Sequence, residues 1–230
     1  DAGAAAVAFD IVFAESDRTS PQNLVQNWEE TPEFALLREQ AMTLPAHDDV
    51  FEQLIKGVQG IVTGFVLTTG DATRRPVQRG NFAFSGDDPT QYVPRLSGAI
   101  TNLPQFEKAA AGNGFFNVFP ERDGLIRRVG LVNGLQLGKE ADSGVRLYPL
   151  LSIEALRVAQ GAKTMIIKSS GASGELAFGE KTGIVEVKVG RIVVPTDREG
   201  RLWVHYSGHQ TERYIPVWKF LDGSFDRSKV

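Results

Sequence analysis

The chain has 230 residues, 42% of them hydrophobic and 23% charged, with no Cys, a balance that excludes a disordered, collagen-like or disulfide-built protein, thiolate metal sites and cysteine nucleophiles. Its net charge of −3 is uneven, since residues 1–50 hold ten acids against two bases and residues 51–230 hold 23 bases against 18 acids. Neither part carries the dense basic stripe that phosphate contacts need, so no nucleic-acid partner is expected.

Residues 4–14 are nearly all apolar and read as a strand buried on both faces, as in a parallel sheet. Ser20 before Pro21, Thr31 before Pro32 and Asp48 before ValPheGluGlnLeuIle place capping oxygens at helix starts, which predicts helices near 21–28, 32–43 and 48–57. Gly57 and Gly60 stop the last of these and release a second apolar strand, Ile61 to Thr68. From Gly70 to Pro94 the chain is rich in Gly, Asp, Arg and Pro and reads as a long surface loop. A short helix follows over 104–111, then a strand over 114–119 that the turn Pro120 to Gly124 joins to a strand over 125–132 as a hairpin. Residues 148–159 form the clearest amphipathic helix. The remainder is mostly strand, over 165–168, 184–189, 192–194 and 202–206, with turns at 190–191 and 197–200. The expected fold class is α/β: one domain over 1–230, a mixed β-sheet covered by helices with a β-rich C-terminal half.

No apolar run reaches the length of a membrane span and no secretory signal opens the chain. Because it begins at Asp1 and enters an apolar stretch at Ala4, it reads as a fragment of a longer protein, and any membrane anchor would lie outside it.

Several catalytic templates fail on mechanics. GlyAsnGlyPhePheAsn at 112–117 matches half of a dinucleotide fingerprint and runs into a strand rather than opening a helix. Gly174 to Gly179 has phosphate-loop spacing, but Glu180 stands where Lys must reach the phosphates. There is no GxSxG elbow. His205 and His209 have the spacing of a helical zinc pair, yet His205 ends an expected strand, Gly208 precedes His209 and no third ligand accompanies them; with His47 they read as structural or solvated. The adjacent acids Glu29 and Glu30, Asp48 and Asp49, and Asp87 and Asp88 flank turns or helix starts, where caps and solvated carboxylates belong.

Two features survive. Asp10 lies among Phe9, Ile11, Val12 and Phe13, where a buried carboxylate requires a partner: backbone donors of the following loop, the start of a nearby helix that it caps, or a ligand cleft at the carboxyl ends of the strands. Residues 113–129 place the polar turn ProGluArgAspGly before adjacent Arg127 and Arg128. Strand alternation turns one of these inward, where a guanidinium would hold Asp10 or a bound anion.

These segments resemble the CHASE type-two family of extracytoplasmic sensor domains of bacterial signalling proteins. The resemblance is carried in order by PheAspIleValPheAla at 9–14 with AspArgThrSerPro at 17–21, GlyPhePheAsnValPheProGluArgAspGlyLeuIleArgArgVal at 114–129 and TyrProLeuLeuSerIleGluAlaLeu at 148–156. ValProThrAspArgGluGlyArgLeuTrpValHisTyrSerGly at 194–208 and TyrIleProValTrpLysPheLeuAspGly at 214–223 complete it. It implies a periplasmic or extracellular sensor between membrane helices that lead to a cytoplasmic output domain, an adenylate or guanylate cyclase first, otherwise a histidine or Ser/Thr kinase. The family's opening strand and helix have no counterpart before Ala4.

The leading expectation is therefore a non-enzymatic sensor that answers an unknown small ligand or envelope signal, with at most a weak homodimer, no metal and no cofactor. Its candidate ligand-binding or structural polar cluster is Asp10, Asp17, Asn117, Asp123, Arg127 and Arg128. The alternative is a soluble α/β hydrolase-like enzyme using Asp10, Asp17 or Asp123; a purely structural or dimerising domain is a third reading.

Overall fold

The computed structural model describes residues 3–26, 28–29, 31–70, 74–138, 144–173 and 182–229, and its N-terminal half is organised by a parallel sheet. β1 (Val7–Phe9) runs beside β2 (Ile61–Thr68) with Val7 opposite Ile61, and β6 (Gly112–Phe115) pairs parallel with β2, Val62 opposite Gly112. The end of β2 gains an antiparallel partner in β5 (Gly98–Ile100). Central position explains the mostly apolar sequence of β2, which is buried at six of its eight residues.

The strand expected over 4–14 is corrected on both length and burial. Only three residues pair, Val7 and Ala8 are exposed, and β1 is the edge of its sheet. The apolar residues that follow serve one side only: Phe9 and Phe13 pack edge-on against Phe51, and Phe13 against Phe106.

Three helices separate β1 from β2: α1 (Pro21–Val25), α2 (Pro32–Thr43) and α3 (His47–Gly57). Pro at the first position marks the first two starts as expected, but neither Ser20 nor Thr31 makes a side-chain cap, and Asp48 lies inside the first turn of α3. α3 and α4 (Pro104–Ala109) enclose a small core around Ile55, Ile61, Phe106 and Ala110.

The segment expected as a surface loop contains β3 (Asn81–Ser85), which joins a four-stranded sheet in the order β12, β11, β10, β3. In it β10 (Thr164–Ser169) is parallel to β3 and antiparallel to β11 (Ile184–Val189). β12 (Ile192–Pro195) returns after the expected turn at Gly190, whose φ of +56° suits glycine. The glycine motif at 174–179 lies outside the described residues.

The hairpin expected between 114–119 and 125–132 does not form, because each strand finds a distant partner. β6 pairs with β2, whereas β7 (Arg128–Gly130) pairs antiparallel with β13 (Arg201–Trp203). A further sheet joins β4 (Arg95–Leu96), β8 (Val132–Gln136) and β9 (Val145–Pro149). Tyr148 and Pro149 end β9, so the amphipathic helix α5 begins at Leu151 (Leu151–Ala159). It packs so closely on β6 that a Cβ at Gly114 would stand 2.8 Å from the Leu151 Cα. The main core lies between these layers, around Phe65, Phe115, Tyr148 and Ile167.

Candidate functional site

Residues 121–125 close a tight turn, with the Glu121 N–H donating to Leu125 O, the Gly124 N–H to Glu121 O and the Leu125 N–H to Asp123 Oδ1. This turn holds two carboxylates against the adjacent arginines. Arg127 reaches Glu121 Oε2 at 3.2 Å and Asp123 Oδ2 at 2.7 Å, while Arg128 Nε meets Glu121 Oε1 at 2.8 Å. Pairing of β7 with β13 then brings up a second turn: Arg128 Nη1 lies 3.2 Å from Asp197 Oδ2, and Asp197 also binds Arg201 Nε at 2.8 Å. Arg201 ends the series on Glu199 Oε2 at 3.1 Å.

Charges of opposite sign therefore alternate from Asp123 to Glu199, and the electrostatics follow. The Arg128 hydrogen bond, with Arg127 beside it, holds the Glu121 carboxyl below the usual carboxylate range, and Arg127 does the same for Asp123. Asp197 is pushed up by burial, but the Arg201 backbone and guanidinium outweigh this and lower it. Arg127 is raised by its hydrogen bond to Asp123, and Arg128 by its bond to Glu121.

Beside this lattice, where β2 and β6 end and β4, β7 and β8 approach, lies a cleft of about 390 Å³. Leu96, Phe115, Val118 and Phe119 supply apolar wall, while Glu121, Arg128 and Arg201 supply its charged side. Asn117 also lines it, yet its amide is committed to β2: Oδ1 accepts the Leu67 N–H and Nδ2 donates to Leu67 O, each at 2.9 Å. The side chain continues the β6 ladder after the backbone has turned away. Asn133, on β8, is 2% exposed and lines the cleft, and its Oδ1 meets no hydrogen-bond donor among the described residues.

A model of the CHASE2 domain matches residues 1–230, the whole chain. The chain belongs to the CHASE2 family. CHASE2 is a family of extracellular sensory domains of signalling proteins, not catalytic domains. No curated protein and no solved structure matches the chain.

In this CHASE2 domain the expected cluster divides. Asn117, Asp123, Arg127 and Arg128 come together at or beside the cleft, and two aspartates lie elsewhere. Asp10 is exposed just past the edge strand and pairs with neither arginine, which corrects the buried-pair expectation. The alternation argument also fails for Arg127, which precedes β7, so both arginines converge on Glu121 and both are partly exposed. Asp17 belongs to a separate network: it accepts from the Thr19 N–H at 3.0 Å, from the Thr19 and Ser20 hydroxyls, and lies 2.5 Å from His47 Nδ1. Its carboxyl is lowered to about 2, first by the Thr19 backbone and then, against some desolvation, by these side chains. Asp17 and Asp123 thus have separate partners, and Asp10 shares none of them, so the three aspartates of the hydrolase alternative form no common cluster.

Glu121, Asp197, Arg201 and Asn133 are missed by the sequence reading. Asn133 had a signal, since it interrupts the apolar run LeuValAsnGlyLeu as Asp10 interrupts its own. The buried ion pair sought at Asp10 lies instead on α5, between Glu154 and Arg157.

Proposed function

We propose that this CHASE2 domain is the periplasmic sensory part of a bacterial inner-membrane receptor. A small ligand enters the cleft and the response passes through attached membrane helices to a cytoplasmic output domain, an adenylate or guanylate cyclase first, otherwise a histidine or Ser/Thr kinase. The observation that carries the reading is the double engagement of Arg128. It lines the cleft, bonds Glu121 and Asp197, and its guanidinium stands 5.3 Å from the centroid of the Trp203 ring on β13. Directly after β13 the chain is strapped to the same region, with the Val204 N–H donating to Arg127 O and the Tyr206 hydroxyl to Ile126 O. An occupant that displaces Arg128 displaces the C-terminal segment, and a ligand with different affinity for the two arrangements shifts their populations.

No helix among the described residues is long and apolar enough to cross a membrane, so the spans in this reading lie in flanking sequence. Reading the coding sequence on either side is the first test: membrane spans followed by a cyclase or kinase domain support the receptor, and a secretory signal with a stop codon after Val230 sinks it. In the full-length protein in membranes, Arg128→Gln and Trp203→Ala should each change the basal output of that domain. Output indifferent to both variants would overturn the route through Arg128.

A further inference from the structure

Taking the cleft as the ligand site of that reading, we infer that its ligand is a small amphipathic anion. It carries an N–H or O–H donor for Asn133, an apolar body for the cleft wall, and one carboxylate or comparable anionic group for Arg95.

The donor requirement follows from Asn133. A carboxamide oxygen is an acceptor only, and buried acceptors are ordinarily satisfied. This one is not, among the described residues, and it belongs to a cleft-lining side chain that is 2% exposed. Gly130, which also lines the cleft, packs on the same oxygen: a Cβ there would stand 3.0 Å from Asn133 Oδ1. Gly130 is not among the residues of positive φ, so its backbone makes no demand for glycine, and a side chain there would crowd that oxygen.

The anionic requirement follows from counting cations at the cleft. Arg128 and Arg201 are already matched by Glu121, Asp197 and Glu199. Arg95 is exposed, lines the cleft and uses its Nε on Thr90 O at 3.2 Å; among the described residues no carboxylate pairs with it. Its remaining guanidinium N–H groups suit a carboxylate held in two-point fashion. In the same lining Leu96, Phe115 and Phe119 call for an apolar body, and the volume of about 390 Å³ is that of a small-molecule site.

Three matched probes test the inference on the purified chain: 4-hydroxyphenylacetate has all three features, phenylacetate lacks the donor and 4-methylphenol lacks the anion. Titration calorimetry, backed by competition in ligand-observed NMR, should show saturable millimolar binding of the first and affinities about fivefold or more weaker for each of the others, the size expected of one hydrogen bond or one exposed ion pair. The variants should then act crosswise. Gly130→Ala and Asn133→Ala remove the preference for the hydroxyl and keep that for the carboxylate, while Arg95→Gln does the reverse. Gly130→Ala keeps the test decisive if Asn133→Ala fails to fold. Equal binding of the three probes, preferences unmoved by the variants, or no saturable binding of any probe overturns the ligand class. Those results leave the receptor reading standing, because it falls on flanking sequence and membrane output instead.

Discussion

Glu154 and Arg157, three residues apart on α5, form a two-pronged buried ion pair: Arg157 Nε meets Glu154 Oε2 at 2.8 Å and Nη2 meets Oε1 at 2.7 Å, with side chains 0% and 8% exposed respectively. Arg157 also donates to the carbonyls of Ala111 and Ala162, so the pair ties the helix to the chain entering β6 and to the turn beyond α5. A Cβ at Gly80 would come within 2.7 Å of Arg157 Nε, so the chain passes the pair at a place that admits no side chain.

Removing one member leaves the other charged and buried. Glu154→Ala and Arg157→Ala are each expected to destabilise by about 3–5 kcal/mol in urea unfolding, and the double variant by clearly less than their sum. Additive losses would show that the two side chains contribute separately.

Asn117 predicts a pattern that reads the direction of its bonds. Asn117→Ala strands a donor and an acceptor of Leu67 and should cost about 1–3 kcal/mol. Asn117→Asp keeps the acceptor but turns an ionised oxygen toward Leu67 O, so at neutral pH it should be at least as damaging and recover part of its stability as the carboxyl protonates. Thermal unfolding against pH distinguishes this from simple loss of packing, which would show no recovery.

The exposed position of Asp10 makes its replacement mild. Asp10→Ala should alter stability by less than about 0.5 kcal/mol, and its effect should add to that of Arg127→Ala or Arg128→Ala within about 0.5 kcal/mol. Strong coupling in either double variant would restore the pairing that the structure rules out.

Asp17 makes a pH-dependent contribution through its contacts with Thr19, Ser20 and His47. Its folded carboxyl is lowered from 3.8 to about 2, so its contribution is fully present above the unfolded value and is lost as pH falls through the folded one. NMR titration should place its midpoint near 2, and the stability difference between the parent and Asp17→Asn should shrink as pH falls from 3.8 toward 2. An unshifted titration, or a difference independent of pH over that window, would mean that the contacts to Thr19, Ser20 and His47 do not favour the ionised form.

What the sequence by itself determined was local. β2 and β11 are as expected at both ends, because a mostly apolar run released by glycine and a strand followed by a glycine turn carry their own boundaries. α2 is likewise as expected, since Pro32 sets its first φ and removes a donor that needs no partner there. The family was legible too, through short stretches whose order along the chain mattered more than any one of them. Only the tertiary structure decided which charge meets which. Arg128 and Asp197 are 69 residues apart, and they meet because β7 pairs with β13 rather than folding back on β6. β3 escaped notice for the same reason, its partner β10 being supplied from far along the chain. The burial of Asp10 was inferred from its apolar neighbours, but burial depends on what lies across the strand, and β1 is an edge. Asn133 carried the same sequence signal as Asp10 and is the one enclosed, because its strand is the middle one of its sheet, with Tyr148 of β9 opposite it.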